Sequence, residues 1–347
     1  MCVFQIIVFF LLFIGLIKSD TDCPYITTTE DRRPNMSTFR YVQYNAEWLF
    51  MDYYSAAKCP GTGCPWENTT EAQIHLDHIS SVIKNINPDF INICEVEGCD
   101  ELKLLKDSLN IDNNNNAYKP YLIQGKDTST GQNVGLLTKV DPMISLYRSE
   151  ERVSYPIPGS ICGYTGTEGT TGVSKHYITE MEMSGLIIVI IGAHLLAYPT
   201  DIQRCAEREA QAQVLQNIVI SYISKGYEVI LSGDFNDFDG DIPDANNNYP
   251  ISSVLDILKG YSGEYKNKYV LFSVTQNVEQ NERYSDWWDK NGNCLSTFTE
   301  FSQIDHILVS EYLFERIIDI FIYHDYNMEC DTYESDHYPL VVDFLII

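Results

Sequence analysis

Basic side chains are scarce in this chain of 347 residues. It contains 23 Lys and Arg against 49 Asp and Glu, which gives a formal net charge of −26 at pH 7. Proteins that coat nucleic acid by charge alone use Lys and Arg to neutralise phosphates, so the composition argues against that class. An enzyme that binds a divalent cation is not excluded, because a bound cation reverses the sign of the local field.

Long apolar runs are also absent, except at the start of the chain. Residues 3–17 form one such run, which is short for a membrane span and suits the core of a signal peptide. We therefore expect a signal peptide at 1–19, with an uncleaved signal anchor as the alternative. An N-terminal segment at 20–39 and a single domain at 40–347 follow, and no transmembrane anchor is expected after signal removal.

The ten cysteines lack the spacing of a zinc site. No second Cys or His pair could complete a tetrahedral site with Cys59 and Cys64, so we expect these two to form a small disulfide loop. Nine cysteines remain without Cys2, which predicts some disulfides and at least one free thiol in an oxidising compartment. The sequons at Asn35 and Asn68 also suit a secreted glycoprotein or one held in the lumen of the secretory pathway or a vacuole.

The rest of the chain alternates short apolar strands with amphipathic helices, without internal repeats or a long linker. EAQIHLDHISSVIKNIN has apolar residues at helical spacing before Pro88, and DIQRCAEREAQAQVLQNIVISYISKG predicts a second helix closed by Gly226. FRYVQYNAEWLF begins as a strand and is expected to end in a turn near Asn45. Further buried strands are predicted in DFINICEVE, LIIVIIGAHLLA, YEVILSGDFND, SQIDHILVS and the final apolar run.

Polar side chains stand where these strands end. They are Asn45, Glu95, His194, Asp234, Asn236, Asp305, Asp336 and His337. Each one alone has an ordinary explanation, such as a solvated strand end or an Asx turn. Because polar groups at strand ends in α/β proteins converge on one edge, the ordered set predicts a single site there.

The ordered blocks YNAEWLF, INICEVEG, IGAHLLA, LSGDFND, QIDHILVS and ESDHYPL resemble the endonuclease/exonuclease/phosphatase superfamily. That superfamily includes deoxyribonuclease-I-like enzymes, exonuclease-III-like repair nucleases, sphingomyelinases and inositol-polyphosphate 5-phosphatases. The resemblance runs from about Arg40 to Ile347. It implies a four-layer α/β sandwich, in which two mainly antiparallel sheets pack face to face with helices outside. One departure is Cys94, which stands where the family usually has Gln before the metal-binding Glu.

The resemblance also implies a bound cation. Hydrolysis of a phosphodiester must neutralise developing negative charge, activate water and protonate a leaving oxygen, and a hard cation held by oxygen ligands meets the first need. The family's metal ligands fall on Asn45, Glu95 and Asp336. The implied ion is Mg²⁺, with Mn²⁺ as a substitute, and a closed zinc site is not expected.

The remaining residues take catalytic roles by the same resemblance. His337 would be the general base or the group that stabilises the phosphate, since a neighbouring carboxylate fixes its tautomer and raises its pKa. Asp305 would share that role, or contact metal or substrate. Asp234 would orient or activate the attacking water, and Asn236 would donate a hydrogen bond to a phosphate oxygen. His194 would be a phosphate ligand or the acid for the leaving group.

Four weaker candidates have two interpretations each. Lys175 and His176 would contact substrate near the phosphate or lie in a solvated loop. Trp287 and Trp288 would stack on a base or sugar or touch lipid, but burial against the sandwich is the favoured interpretation.

Four other residues are expected to have structural roles. Arg208 and Gln211, in the long helix, are expected to be solvated or to cap it. Side chains alternate across a strand, so His306 should face away from Asp305 and be structural. The same alternation predicts that Cys94 is a core thiol.

The favoured function is a secreted Mg²⁺-dependent phosphoesterase, with a nuclease as the first substrate hypothesis. The alternatives are a sphingomyelinase or another phosphatase-type phosphoesterase, and a non-catalytic exported binding protein of the same fold. The expected partner is a phosphoester substrate, either nucleic acid or a phospholipid head group, and no stable protein partner is predicted.

Overall fold

The computed structural model describes Cys23, Ile26 and Thr332 together with residues 28–51, 63–110, 117–263, 265–330 and 334–346. The predicted signal peptide at 1–19 lies outside these residues, and so does Cys59.

The strands are β1 (Thr38–Leu49), β2 (Phe90–Val96), β3 (Lys119–Leu122), β4 (Asn133–Thr138), β5 (Val153–Tyr155), β6 (Gly169–Thr171), β7 (Lys175–Met183), β8 (Leu186–His194), β9 (Glu228–Asp234), β10 (Phe272–Ser273), β11 (Asp286–Trp287), β12 (Phe301–Ser302), β13 (Asp305–Val309), β14 (Ile317–Ile322) and β15 (Leu340–Leu345). The α-helices are α1 (Thr69–Ile86), α2 (Cys99–Asn110), α3 (Ile202–Ile223), α4 (Val254–Leu258) and α5 (Glu311–Phe314).

Two large sheets occupy the centre of the molecule. The first has six strands in the order β14-β15-β1-β2-β4-β3, and the second has five in the order β10-β13-β9-β8-β7. The pairs β1–β2 and β8–β9 are parallel, and the other neighbours within the large sheets are antiparallel. The expected mainly antiparallel sheets are therefore confirmed.

The sheets pack face to face, with helices on their outer faces. Tyr41 and Phe90 of the first sheet meet Ile190 and Ile230 of the second in one buried cluster. Helices α1 and α2 cover the outer face of the first sheet, while α3 and α4 cover that of the second. Because both faces of each sheet are buried, strands such as LIIVIIGA are apolar without alternation. The predicted four-layer α/β sandwich is confirmed.

Local signals explain where the two long predicted helices begin and end. The side chain of Asn68 caps α1 by accepting hydrogen bonds from the backbone N–H groups of Thr70 and Glu71. The helix ends at Ile86, and the next residue, Asn87, caps it in a left-handed conformation with φ 50° before Pro88. The side chain of Asp201 caps α3 in the same way.

Three disulfides are formed among the described residues. They are Cys23–Cys99, Cys162–Cys205 and Cys294–Cys330. Cys64 is also disulfide-bonded. Cys94 is free and buried, so the expectation of a core thiol is confirmed. Within the described ranges, no helix has the length and apolar character needed to cross a membrane.

The expectation that Arg208 and Gln211 are solvated or capping is wrong. Arg208 is fully buried, and its Nε donates to Oδ2 of Asp237 at 2.9 Å. Its guanidinium also donates to three backbone carbonyls, those of Leu196, Tyr198 and Pro199. Gln211 is buried as well, and its Oε1 accepts from the backbone N–H of Leu196. Arg208 therefore ties the segment after β8 to the segment after β9.

Candidate active site

Strand register explains why the predicted residues meet. Asp234, the last residue of β9, is paired with His194 at the end of β8 and with Asp305 at the start of β13. In the first sheet, Asn45 of β1 is paired with Cys94, next to Glu95. The polar ends of both sheets therefore face each other at one edge of the sandwich.

The turn expected near Asn45 is a bulge within a longer strand. β1 continues to Leu49, but its register with β2 shifts between Asn45 and Leu49. Glu47 and Trp48 have φ values of 42° and 51°, and Glu95 on the facing strand has φ 65°. A bulge changes the direction in which the groups of a strand point. Within this bulge, the backbone N–H of Trp48 donates to Oε2 of Glu95 at 3.0 Å.

Asp234 joins the two sheets at the centre of the site. Its Oδ2 accepts a hydrogen bond from Nδ2 of Asn45 at 3.0 Å and lies 3.6 Å from Nε2 of His194. The same oxygen is 4.0 Å from Nε2 of His337. Its Oδ1 accepts from the backbone N–H of Asn236 at 2.9 Å. Burial, and then the nearby Asp305, raise the pKa of Asp234 to about 8.

His337 is held by Asp305. Nδ1 of His337 lies 2.7 Å from Oδ2 of Asp305, which also accepts from Oγ of Ser285 at 2.8 Å, while Oδ1 accepts from Nε2 of Gln43 at 3.0 Å. Burial acts to lower the pKa of His337, but Asp305 and Asp336 outweigh it and raise that pKa well above its usual value. Nε2 of His337 is left to face the remaining acidic side chains.

Carboxylates are concentrated around the residues predicted to bind metal. Nδ2 of Asn45 lies 3.2 Å from Oε1 of Glu95. Burial raises the pKa of Asp336 to about 7, with Glu95 adding to the rise and His337 opposing it. Oε2 of Glu47 accepts from the backbone N–H of Asp336 at 3.1 Å. A hard divalent cation with oxygen ligands would relieve this repulsion, so the donor set fits the expected metal.

A second group of potential ligands lies beside the first. One ligand atom from each of Asp234, Asp305 and His337 comes within 4.8 Å of the others. Because Asp234 also contacts Asn45, the two groups form one continuous polar centre. The structure therefore brings all the predicted site residues except Asn236 into a network of direct side-chain contacts or close charges.

Asn236 and His194 border this centre. Asn236 has φ 50°, and its Nδ2 donates to the backbone carbonyl of Leu195 at 3.4 Å. His194 is buried, and among the described residues its Nδ1, itself closed to solvent, has no hydrogen-bond partner. Burial, followed by the charges of Lys175 and His337, lowers the pKa of His194 well below its usual value. Nε2 lies 3.6 Å from Oδ2 of Asp234, so it is this nitrogen of the neutral imidazole that is suited to contact a phosphate oxygen.

Asp286 and Glu47 also lie at the site, although no sequence motif predicts them there. Oδ1 of Asp286 is 3.5 Å from Nε2 of His337, closer than any carboxylate oxygen except that of Asp305. β11 also pairs with the segment before β15, since the backbone N–H of Trp287 donates to the carbonyl of Asp336. The only sequence signal for Glu47 is its position two residues after Asn45, and Asp286 carries none.

The solvated-loop interpretation of Lys175 and His176 is wrong, since both are buried. Nδ1 of His176 lies 2.8 Å from the carbonyl oxygen of Val173. Burial, followed by the charge of Arg148, lowers the pKa of His176 to about 4. His176 is therefore structural. Nζ of Lys175 donates to Oε1 of Gln132. Burial lowers the pKa of Lys175, while the nearby charges of Glu95 and Asp234 oppose that shift.

The two tryptophans have different environments. Trp287 is buried as expected, but the expectation is wrong for Trp288, which is 63% exposed. His306 is buried, with Nε2 2.9 Å from the carbonyl of Asp237, so its structural role is confirmed.

Comparisons with known proteins agree with this architecture. The model of the Endonuclease/Exonuclease/phosphatase family matches residues 42–337. No curated protein matches the chain at a significant level. A solved structure of truncated Caenorhabditis elegans TDP2 is 14% identical, with a TM-score of 0.53, over 90% of this chain and 100% of the other. The structure of the endonuclease/exonuclease/phosphatase from Bacteroides vulgatus is 13% identical, with a TM-score of 0.55, over 90% of this chain and 100% of the other. At these identities the solved structures show a shared fold alone.

Proposed function

The chain belongs to the endonuclease/exonuclease/phosphatase family, and we propose that it hydrolyses a phosphoester bond with the help of a bound divalent cation. The observation that carries the proposal is the position of His337. Its Nδ1 is held at 2.7 Å by Asp305, and its Nε2 faces the centre that Asp234 and Asn45 form. An imidazole fixed in this way is oriented for proton transfer or for contact with a phosphate oxygen.

Asn45, Glu95 and Asp336 would hold the cation, with Mg²⁺ as the proposed ion and Mn²⁺ as a substitute. Bound there, the ion would supply positive charge to the phosphate oxygens. The oxygen-rich donor set supports this assignment over zinc, which favours nitrogen and sulfur ligands in closed sites.

The chain's own residues would handle protons and orientation. Asp234 would position the attacking water, because its carboxylate lies between the two histidines. His194 would contact a phosphate oxygen through Nε2, the nitrogen that lies on the side of Asp234. Asn236 would donate to another phosphate oxygen. Lys175, whose charge acts on Asp234 and Glu95, would add to the positive field around the phosphate.

We further propose that the enzyme acts outside the cytosol. The apolar run at 3–17 and the three disulfides support this placement. A nuclease and a phosphoesterase of the sphingomyelinase or phosphatase type remain the two substrate hypotheses. The excess of acidic over basic residues supports the second more than the first, because binding to nucleic acid depends on Lys and Arg.

The test is hydrolysis by the purified mature protein with Mg²⁺ and with excess EDTA. Plasmid DNA, RNA, sphingomyelin and bis(4-nitrophenyl) phosphate are assayed in parallel, and His337→Ala is the control for the site. We expect cleavage that EDTA and His337→Ala both abolish while the variant keeps its circular dichroism spectrum. A folded protein that cleaves none of these substrates would instead favour the non-catalytic binding protein, and equal turnover by His337→Ala would reject the assigned site.

A further inference from the structure

A pocket of about 550 Å³ opens directly beside the candidate metal ligands. Glu47, Ser335 and Asp336 form its boundary with the active site. The volume lies within the range of small-ligand sites and suits a head group rather than a polymer. A substituent of a phosphate bound beside Asp336 and His337 would extend into this space, which would make the pocket a determinant of substrate choice.

Aromatic side chains line the pocket. Trp66 precedes α1, and Trp287 and Trp288 belong to β11 and the residue after it. Two of the indole N–H groups are already engaged, because Trp66 donates to the carbonyl of Trp48 and Trp287 donates to Glu300. Trp288 is 63% exposed, so its ring is available to a ligand. Trp66 and Trp287 are buried, and Trp66 also stacks on His75, so Trp288 supplies most of the accessible indole surface.

The described residues that line the pocket carry charge of a single sign. Seven of them are carboxylates, among them Glu47, Glu67, Glu329 and Asp336, and none of the described lining residues is a Lys, Arg or His. Glu334, one of the seven, is paired with His78, whose Nδ1 lies 3.0 Å away. The phosphates that flank the scissile bond in a nucleic acid would be repelled here, whereas a cationic group would be attracted.

Indole rings and carboxylates together favour one kind of cation. A quaternary ammonium group has no N–H to donate and gives up little hydration, so it gains from indole faces and from diffuse negative charge. The carboxylates attract a primary ammonium as well, but that cation is strongly hydrated and gains less from an indole face, so the indole rings are what favour the quaternary group. We propose that this pocket binds the quaternary ammonium group of a choline phosphoester, which names the substrate class of the active site and rests on the proposed function.

The test compares two esters that differ in charge alone. 4-Nitrophenyl phosphorylcholine carries the trimethylammonium group, and 4-nitrophenyl 3,3-dimethylbutyl phosphate carries a neutral tert-butyl group of the same shape. Both release 4-nitrophenolate from an identical phosphodiester. We expect a kcat/KM ratio of about tenfold in favour of the choline ester, the size of a cation–π contact in a partly desolvated site.

Trp288→Ala should lower this ratio by roughly three- to tenfold, and Glu67→Gln should lower it in the same direction. Tyr249→Ala is the matched control, because Tyr249 is 77% exposed and lies outside the pocket. It should leave the ratio unchanged. A ratio near one in the unmodified protein, or an equal loss in the Tyr249 variant, overturns the pocket assignment.

Binding without turnover separates this inference from the proposed function. In EDTA, choline should quench tryptophan fluorescence, Trp288→Ala should weaken the effect, and 3,3-dimethylbutanol should not produce it. Choline binding by a protein that hydrolyses neither ester overturns the proposed function and keeps the cation pocket. Equal hydrolysis of both esters without choline binding overturns the pocket and keeps the proposed function.

A choline phosphoester can come from a lipid surface or from solution. Vesicles that contain sphingomyelin or lysophosphatidylcholine represent the first source, and glycerophosphocholine represents the second. Turnover of either one supports the proposal and identifies the source. If plasmid DNA is cleaved at a higher kcat/KM than sphingomyelin, lysophosphatidylcholine and glycerophosphocholine, the choline proposal is rejected.

Discussion

His337 leads into one sheet and Asp305 belongs to the other, yet Nδ1 of the histidine is only 2.7 Å from Oδ2 of the aspartate. His337 precedes β15 of the first sheet, and Asp305 begins β13 of the second. The contact between Asn45 and Asp234 also joins the two sheets, at 3.0 Å. The candidate active site is therefore assembled by the packing of the sheets against each other, and it depends on their relative position.

Asp305→Asn should reduce kcat by roughly 10²-fold, within the usual contribution of an oriented acid–base group. The Asp305 carboxylate raises the pKa of His337, so its loss should lower that pKa and move the histidine-dependent inflection of the kcat profile to lower pH. The measurement is kcat from pH 5 to 9, with the thermal midpoint recorded as a check on folding. An inflection that stays in place would show that Asp305 does not set the titration of His337.

Glu95→Gln should weaken Mg²⁺ binding by more than tenfold, since even changes outside the ligand shell cost 10–100-fold in metal affinity. The variant removes a negative charge from the proposed ligand set and keeps the shape of the side chain. The measurement is the Mg²⁺ concentration that gives half-maximal hydrolysis, supported by calorimetric titration. Glu311→Gln, at an exposed position on α5, is the control. Equal Mg²⁺ dependence in both variants would remove Glu95 from the metal site.

Arg208→Ala should lower the free energy of unfolding by about 3–5 kcal/mol, because it leaves the Asp237 carboxylate buried without its partner. It also removes the donors that tie together the segments after β8 and β9, so His194 and Asp234 should lose their alignment. Urea denaturation measures the first effect and kcat the second.

Arg204→Ala is the matched control for Arg208→Ala. Arg204 lies on the same helix, but its Nε is 4.0 Å from an oxygen of the partly exposed Asp201. The Arg204→Ala substitution should lower the free energy of unfolding by less than about 1 kcal/mol. Similar losses in the two variants would contradict the clamp assigned to Arg208.

Glu101→Gln should stabilise the protein, and more so at higher pH. Glu101 is fully buried, and burial followed by the charge of Glu97 raises its pKa to about 8. An unfolded Glu titrates near pH 4.3, so unfolding releases a proton between these values and stability falls as the pH rises through this window. The gain should be about 1–3 kcal/mol at pH 8 and smaller at pH 5. Thermal midpoints at both pH values test this, and an equal gain at both would contradict the assignment.

The amino-acid sequence by itself determined the local elements and the chemical types at the site. Helix α1 follows from its apolar spacing, the Asn68 cap and Pro88, all of which are local signals. The acids and histidines at the strand ends could be identified because short apolar runs define where the strands stop. The face-to-face sandwich could be predicted because the ordered motifs resemble a family with that fold.

Only the tertiary structure decided which side chains meet. Asp286 looks like one acid among many, and its place beside His337 depends on β11 pairing with the segment before β15. Arg208 has the pattern of a surface helix residue, but its partner Asp237 is 29 residues away. The tryptophan-lined pocket likewise combines four separate segments of the chain, at residues 47, 65–71, 287–289 and 328–336. Contacts of this kind leave no local signal, because they are set by how the sheets and loops pack in three dimensions.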